Sequence, residues 1–135
     1  MALTLTDDQT ALRDSARDFL SEQSPVKALR QLRDSADADG FSRPLWAQFA
    51  EMGYAGVLVP EAHGGLGLGH VDAGVVMDQI GHQLCASPLL ASGIVATTAL
   101  TLAGSAAQQA AWLPRLAAAQ AIATLAVDEA GKHRP

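Results

Sequence analysis

The run GVLVPEAHGGLGLG, Gly56 to Gly69, sets a proline and then four glycines within six residues behind a short apolar stretch. Helix and strand both fail in such a segment, because glycine is costly to order and proline lacks a backbone donor. The chain must turn here, so the segments on either side must pack as separate elements. A glycine run can also cradle phosphate. A dinucleotide fingerprint, however, needs G-x-G-x-x-G directly between a strand and a helix. Gly65 and Gly67 fit that spacing, but the third position is His70, and Pro60 to His63 separate the apolar run from the glycines. Three helical patterns precede the run, where a nucleotide-binding unit would begin with its strand. No Lys follows the glycines, so a Walker A loop fails too. The run reads as a corner that needs positive φ at several positions and brings backbone close to a neighbour.

Helix start signals surround this corner. Thr6-Asp7-Asp8-Gln9 is a capping box, followed by the apolar stripe Leu12, Ala16, Phe19 and Leu20. This predicts a first helix over about residues 6–21. Ser24 as N-cap with Pro25 at the first helical position predicts a second, ending between Ala36 and Gly40. Ser42 caps a third, with Leu45, Trp46, Phe49 and Met52 facing inward and Gly53 as a left-handed stop. A fourth covers about 70–85, with Val71, Val75, Val76 and Ile80 inward. Ser87-Pro88-Leu89 opens a fifth, which runs to Gly104, and the capping box Ser105 to Gln108 opens a sixth that Pro114 should kink or restart. Residues 121–129, AIATLAVDE, alternate weakly and read as a β-strand. The expected fold is all-α, a bundle of about six helices followed by one terminal β-strand.

Composition agrees. The 135 residues are 49% hydrophobic but only 4% aromatic, so the core must be built from Ala, Leu and Val. Such side chains favour helix and let helices approach closely. The net charge of −5, with no basic cluster, argues against nucleic-acid binding, which needs many cationic contacts to phosphate. No Asp, Glu, Lys or Arg occurs between Asp78 and Arg115. That stretch is rich in Thr, Ser, Ala and Gly and falls short of about 20 strongly apolar residues, so it reads as a core helix rather than a membrane span. Cys85 is the only cysteine, which excludes an internal disulfide and suggests a reducing, cytoplasmic setting. It reads as a small buried hydrophobe. His63, His70, His82 and His133 lack metal-ligand partners at useful spacing, so no metal is expected. Asp7 and Asp8 suit the positive end of a helix dipole. Asp128 and Glu129, adjacent on a strand, would point to opposite faces and make no acid/base pair.

Several separated motifs together resemble one family. Leu45–Trp46, Gly53, Gly56, Val59–Pro60–Glu61, Gly64–Gly65–Leu66–Gly67 and Asp72 stand in the order and spacing of the N-terminal domain of the acyl-CoA dehydrogenases. LTDDQTALRDSARDFL is similar to that family's first helix, and LAGSAAQQAAWLPRLAAAQAIATLAVDE to its last helices and first β-strand. The resemblance implies a helical domain over 1–120 and the first strand of a middle β domain over 121–135. It further implies FAD as cofactor, α,β-desaturation of an acyl-CoA thioester, and an electron-transfer flavoprotein as acceptor. Homo- or hetero-oligomers are implied as well. The family's catalytic base belongs to a third domain, so no catalytic residue is expected in this chain and it should not be a complete catalyst alone. An alternative is a non-catalytic helical subunit that pairs with a full dehydrogenase.

The resemblance places Ser87, Leu90, Ala91 and Ile94 on the wall of the acyl pocket, where leucine at Ala91 or Gly93 should narrow it. Leu125, Val127 and Asp128 fall near the flavin ring. The family's V-T-E-P-G is here Val127–Asp128–Glu129–Ala130–Gly131, and Lys132–His133 replace the Gly-Ser that follows. An ionised Asp only accepts hydrogen bonds. The expectation is that flavin binding in this subunit is weakened and that it works beside a homologous partner.

Overall fold

The structure, a computed structural model, describes residues 4–127, which hold six α-helices and no strand. They are α1 (Asp7–Gln23), α2 (Val26–Asp34), α3 (Arg43–Glu51), α4 (His70–His82), α5 (Thr97–Ala103) and α6 (Ala106–Ala117). A 3₁₀ turn (Glu61–His63) lies in the corner, and a π-helical segment (Leu89–Ala96) runs straight into α5. The all-α expectation holds. The terminal strand does not appear over 121–127, because a strand needs a hydrogen-bonded neighbour and the described residues supply none. Residues 128 and 129 of that expectation lie outside the described residues.

Both predicted capping boxes are present. Thr6 Oγ1 accepts from Gln9 N and Thr6 N donates to Gln9 Oε1, with Ser105 and Gln108 repeating the pattern on α6. Gln9 does more, since its Nε2 also donates to Asp72 Oδ1 at 3.1 Å, while Asp72 Oδ2 accepts from Gly69 N at 2.8 Å. One side-chain chain thus ties the start of α1 to the start of α4, and the two helices pack along each other.

The core lies between α1, α3, α4 and the corner. Phe49 meets Phe19 and Tyr54 edge-on, with ring centroids 5.9 and 6.0 Å apart, and Trp46 leans on Phe49 at 5.7 Å. The Tyr54 hydroxyl pairs with Ser15 Oγ at 3.0 Å, and burial raises its pKa above the ordinary value. Cys85 is buried beside this cluster, and burial raises its pKa too, which fits an inert apolar packing role.

Several expectations need correction. Ser24 does not cap α2; it is buried at the end of α1, its N–H donating to Leu20 O, and Pro25 takes the N-cap position. Met52 is exposed because it follows the last helical residue of α3 and leaves the stripe. Val71 is 63% exposed, on a shallow groove bounded by Leu5 and Arg13 that Gly74 leaves open. Helix α4 stops at His82, earlier than predicted. Cys85 N bonds back to Ile80 O and Leu84 N to Gly81 O, the Schellman pattern, with Leu84 itself left-handed at φ 51°. Helix α6 runs through Pro114 to Ala117 without restarting.

The glycine run is a corner held by its own backbone. Leu66 N bonds to Gly56 O, Gly67 N to Val59 O and Leu68 N to Val57 O, at 2.8–3.0 Å. Gly64 N, Gly65 N and Gly69 N are also paired, to Glu61 O, Pro60 O and Asp72 Oδ2. The amides that would have to point at a phosphate are therefore occupied. A Cβ on Gly65 would sit 2.1 Å from Val59 O and 2.6 Å from Gly56 O, so only glycine fits.

Candidate functional site

The last turn of α6 delivers the chain to the outside of α5. Gln120 N and Ala121 N both bond to Arg115 O, and residues 121–127 then continue without helix or strand, with 122–125 beside α5. Two open grooves flank this exit segment. One, of about 510 Å³, is bounded by Leu100, Trp112, Ile122, Thr124 and Leu125. The other, of about 370 Å³, is bounded by Ile94, Val95, Thr98, Ala99, Leu125 and His70. Ala99 and Leu125 belong to both.

The grooves are almost free of charge. No acidic or basic side chain occurs between Asp78 and Arg115, so α5 and the π segment present only apolar and hydroxyl groups. Arg115 lies over the Trp112 ring at 4.8 Å, at the margin of the larger groove. The polar feature of the smaller groove is His70 Nε2 against Thr98 Oγ1, at 3.1 Å. Among the described residues no carboxylate lines either groove, and no group of three His, Cys, Asp or Glu is placed to hold a metal ion. Such a surface can bind and orient an apolar ligand. It offers no carboxylate to remove a proton from a carbon acid.

The predicted pocket residues divide. Ile94 and Leu125, 31 residues apart, meet across the smaller groove. Ser87 and Ala91 are half-buried and Leu90 is 56% exposed, all outside it. Gly93 is buried, and a Cβ there would lie 2.5 Å from Leu89 Cδ1 and 3.1 Å from Ala55 O, so it serves packing against the corner. Val127 is 78% exposed, and Asp128 lies outside the described residues. Sequence reasoning missed Thr98, Ala99 and Trp112. Their only signal was the charge-free stretch that contains them.

No helix among the described residues is long and apolar enough to cross a membrane. Residues 6–120 match the family model for the acyl-CoA dehydrogenase N-terminal domain. This chain belongs to the acyl-CoA dehydrogenase family. Isovaleryl-CoA dehydrogenase of Pongo abelii mitochondria is 31% identical over 127 residues, 93% of this chain and 30% of that protein. Acyl-CoA dehydrogenase FadE27 of Mycobacterium tuberculosis is 35% identical over 88 residues, 65% of this chain and 24% of that protein. Among solved structures, the ChsE4-ChsE5 complex of M. tuberculosis superposes with a TM-score of 0.86 at 29% identity, over all of this chain and 36% of its counterpart. The chain thus spans about a quarter to a third of the length of these proteins.

The family is one of flavoproteins, and the exit segment can be tested for that fit. Leu125 is half exposed, and among the described residues nothing hydrogen-bonds the backbone of 124–127. Backbone groups left without a hydrogen bond among the described residues, beside an apolar surface, fit one edge of a flat heterocycle. They do not enclose one.

Proposed function

We propose that this chain is the N-terminal portion of an FAD-dependent acyl-CoA dehydrogenase, incomplete as a catalyst alone. It supplies one wall of the acyl pocket and a surface for packing against the rest of the enzyme. The observation that supports this best is the neutral, apolar groove in which Ile94 and Leu125 meet. An acyl chain is uncharged and gains about 0.8 kcal/mol for each methylene removed from water. The π segment and α5 would orient that chain and exclude water from it. The backbone of Leu125 and Val127 would hold one edge of the isoalloxazine ring. When bound, FAD supplies the two-electron acceptor for α,β-desaturation of the thioester. The proton-abstracting carboxylate and most of the cofactor cleft would come from outside the described residues, and an electron-transfer flavoprotein would reoxidise the flavin.

An oligomeric setting is part of this reading. Leu102, Trp112, Ile122 and Val127 are all exposed, with Leu102 at 82% and Val127 at 78%. The similarity to one chain of a two-protein complex supports a partner chain. In that setting Asp128, in place of the family's threonine, would weaken flavin binding in this subunit.

The test uses an acyl-CoA with a diazirine on its acyl chain. It is photolysed on this chain assembled with the flavin-bearing remainder of a family dehydrogenase. Labelling within residues 87–99 and 122–125 is expected. Labelling confined to other segments would refute the assignment. The chain alone should carry no stoichiometric flavin and reduce no dye with acyl-CoA.

A further inference from the structure

Ser92 is fully buried and is the only polar side chain of the π segment. Its carbonyl accepts from Thr97 Oγ1 at 3.1 Å, and Thr97 is fully buried as well. Its own Oγ accepts from Ala123 N at 3.2 Å, a bond that spans 31 residues. One buried hydroxyl thus braces the wide turn, and the other reaches the chain where it leaves the bundle. The wide turn matters for the reach. Removing one residue from it would rotate the segment by about 100° relative to α5 and carry Ser92 off this edge. A Cβ on Gly93 would lie 3.1 Å from Ala55 O, so its absence lets the segment press against the corner, which leaves Ser92 little room to shift.

The bond falls at an informative place in the exit segment. Ala123 stands two residues before Leu125, and both line the larger groove, so the bond holds the chain just ahead of the point where Leu125 enters both grooves. If Ser92 held Thr124 N in place of Ala123 N, Leu125 would be displaced by one residue along the groove it shares with Ile94. Among the described residues, no other bond fixes the segment beyond Ala121.

We propose that Ser92 is a positioning residue, a register clamp that sets the exit segment so that Leu125 faces Ile94 across the groove. The clamp takes its functional meaning from the acyl-pocket reading above, but its existence can be tested without any ligand. The variant is Ser92→Ala, which nearly keeps the side-chain volume and removes the hydroxyl that accepts from Ala123 N. Thr6→Ala, which removes the cap of the distant α1, controls for general loosening. In the labelled chain, Ser92→Ala should speed exchange of the Ala123 amide by about five- to tenfold, the effect of losing one ordinary hydrogen bond. It should also abolish the methyl NOE between Leu125 and Ile94. Thr6→Ala should leave both in place. Unchanged Ala123 exchange in Ser92→Ala, a surviving Leu125–Ile94 NOE, or equal effects from Thr6→Ala would each overturn the clamp. Photolabelling that misses the groove while these signatures hold would sink the acyl reading and leave the clamp standing.

Discussion

Substituting Gly65 by alanine tests the corner directly. A Cβ there would meet Val59 O at 2.1 Å, Val59 Cβ at 2.4 Å and Gly56 O at 2.6 Å. Two of these are backbone atoms and cannot swing aside. Forcing extra volume into a packed site costs about 1–3 kcal/mol. To make room, the two sides of the corner must part, which strains Leu66 N to Gly56 O and Gly67 N to Val59 O. Each of those bonds contributes about 1 kcal/mol net. The expected loss is about 3–5 kcal/mol, a large share of the roughly 5–15 kcal/mol that holds a domain folded. Two neighbours calibrate it. Gly64 has φ 84° but nothing within 4 Å of an added Cβ, so Gly64→Ala should cost only the left-handed penalty of about 1–2 kcal/mol. Gly74 lies inside α4 with open space around it, so Gly74→Ala should stabilise by about 0.8 kcal/mol. Urea unfolding followed by circular dichroism resolves the series. At an m-value of about 1.5 kcal/mol/M the midpoints should fall by about 2–3 M for Gly65→Ala and 1 M for Gly64→Ala. Equal midpoints for those two variants would show that the corner opens freely and that the close approach stabilises nothing.

Stability should decline in alkali. Burial raises the pKa of Cys85 from 9.0 and of Tyr54 from 10.0, so the unfolded chain loses these protons first. The stabilisation is fully present below the unfolded values and is lost as pH rises through the folded ones. Urea midpoints should therefore fall above about pH 9, and Cys85→Ala with Tyr54→Phe should flatten the decline. Ala36 holds φ 50° at the end of α2 and is exposed, so Ala36→Gly should raise stability by about 0.5–1 kcal/mol in the same assay. Ala99 borders both grooves, so Ala99→Leu in an assembled enzyme should lower kcat/KM for long acyl chains about tenfold more than for short ones, near 1.4 kcal/mol. Equal losses across chain lengths would mean that α5 is only core.

The helices were legible where side chains announce themselves. Thr6–Gln9 and Ser105–Gln108 are local patterns whose partners lie three residues away, and both formed as read. Gly53 likewise stops α3 in the left-handed region, at φ 80°. The stops of α2, α4 and α6 were harder to read. Ala36, Leu84 and Ala119 take left-handed conformations that glycine would have signalled, and each closes a Schellman pattern without it. At Leu84 the turn leaves the side chain half exposed but brings Cys85 into the core. Burying a neighbour can offset about 1–2 kcal/mol of backbone strain, and no local pattern records that exchange.

The site was legible only in part, for a related reason. A family resemblance named Ile94 and Leu125, and the structure sets them in one groove. Neither spacing nor period could have joined them, because residues 31 apart meet only after α5 and α6 have folded back. The weak alternation at 121–129 was read as a strand, and residues 121–127 form none. What the pattern lacked was a partner strand; among the described residues the segment beyond Ala121 has instead one hydrogen bond, from Ala123 N to a buried serine in a π turn. That turn is itself invisible in the string LLASGIVA, whose composition suits an ordinary helix. It is accompanied by Gly93 packing on Ala55 O, a tertiary contact, and by Thr97 reaching Ser92 O five residues back. A groove made by such contacts should respond to changes that leave every lining residue intact. Thr97→Val keeps shape and apolar burial yet removes the brace on Ser92. If the wide turn depends on that brace, Thr97→Val should shift the Ile94 and Leu125 methyl resonances although neither residue is touched. Unchanged resonances would mean that packing at Gly93 alone sets the turn.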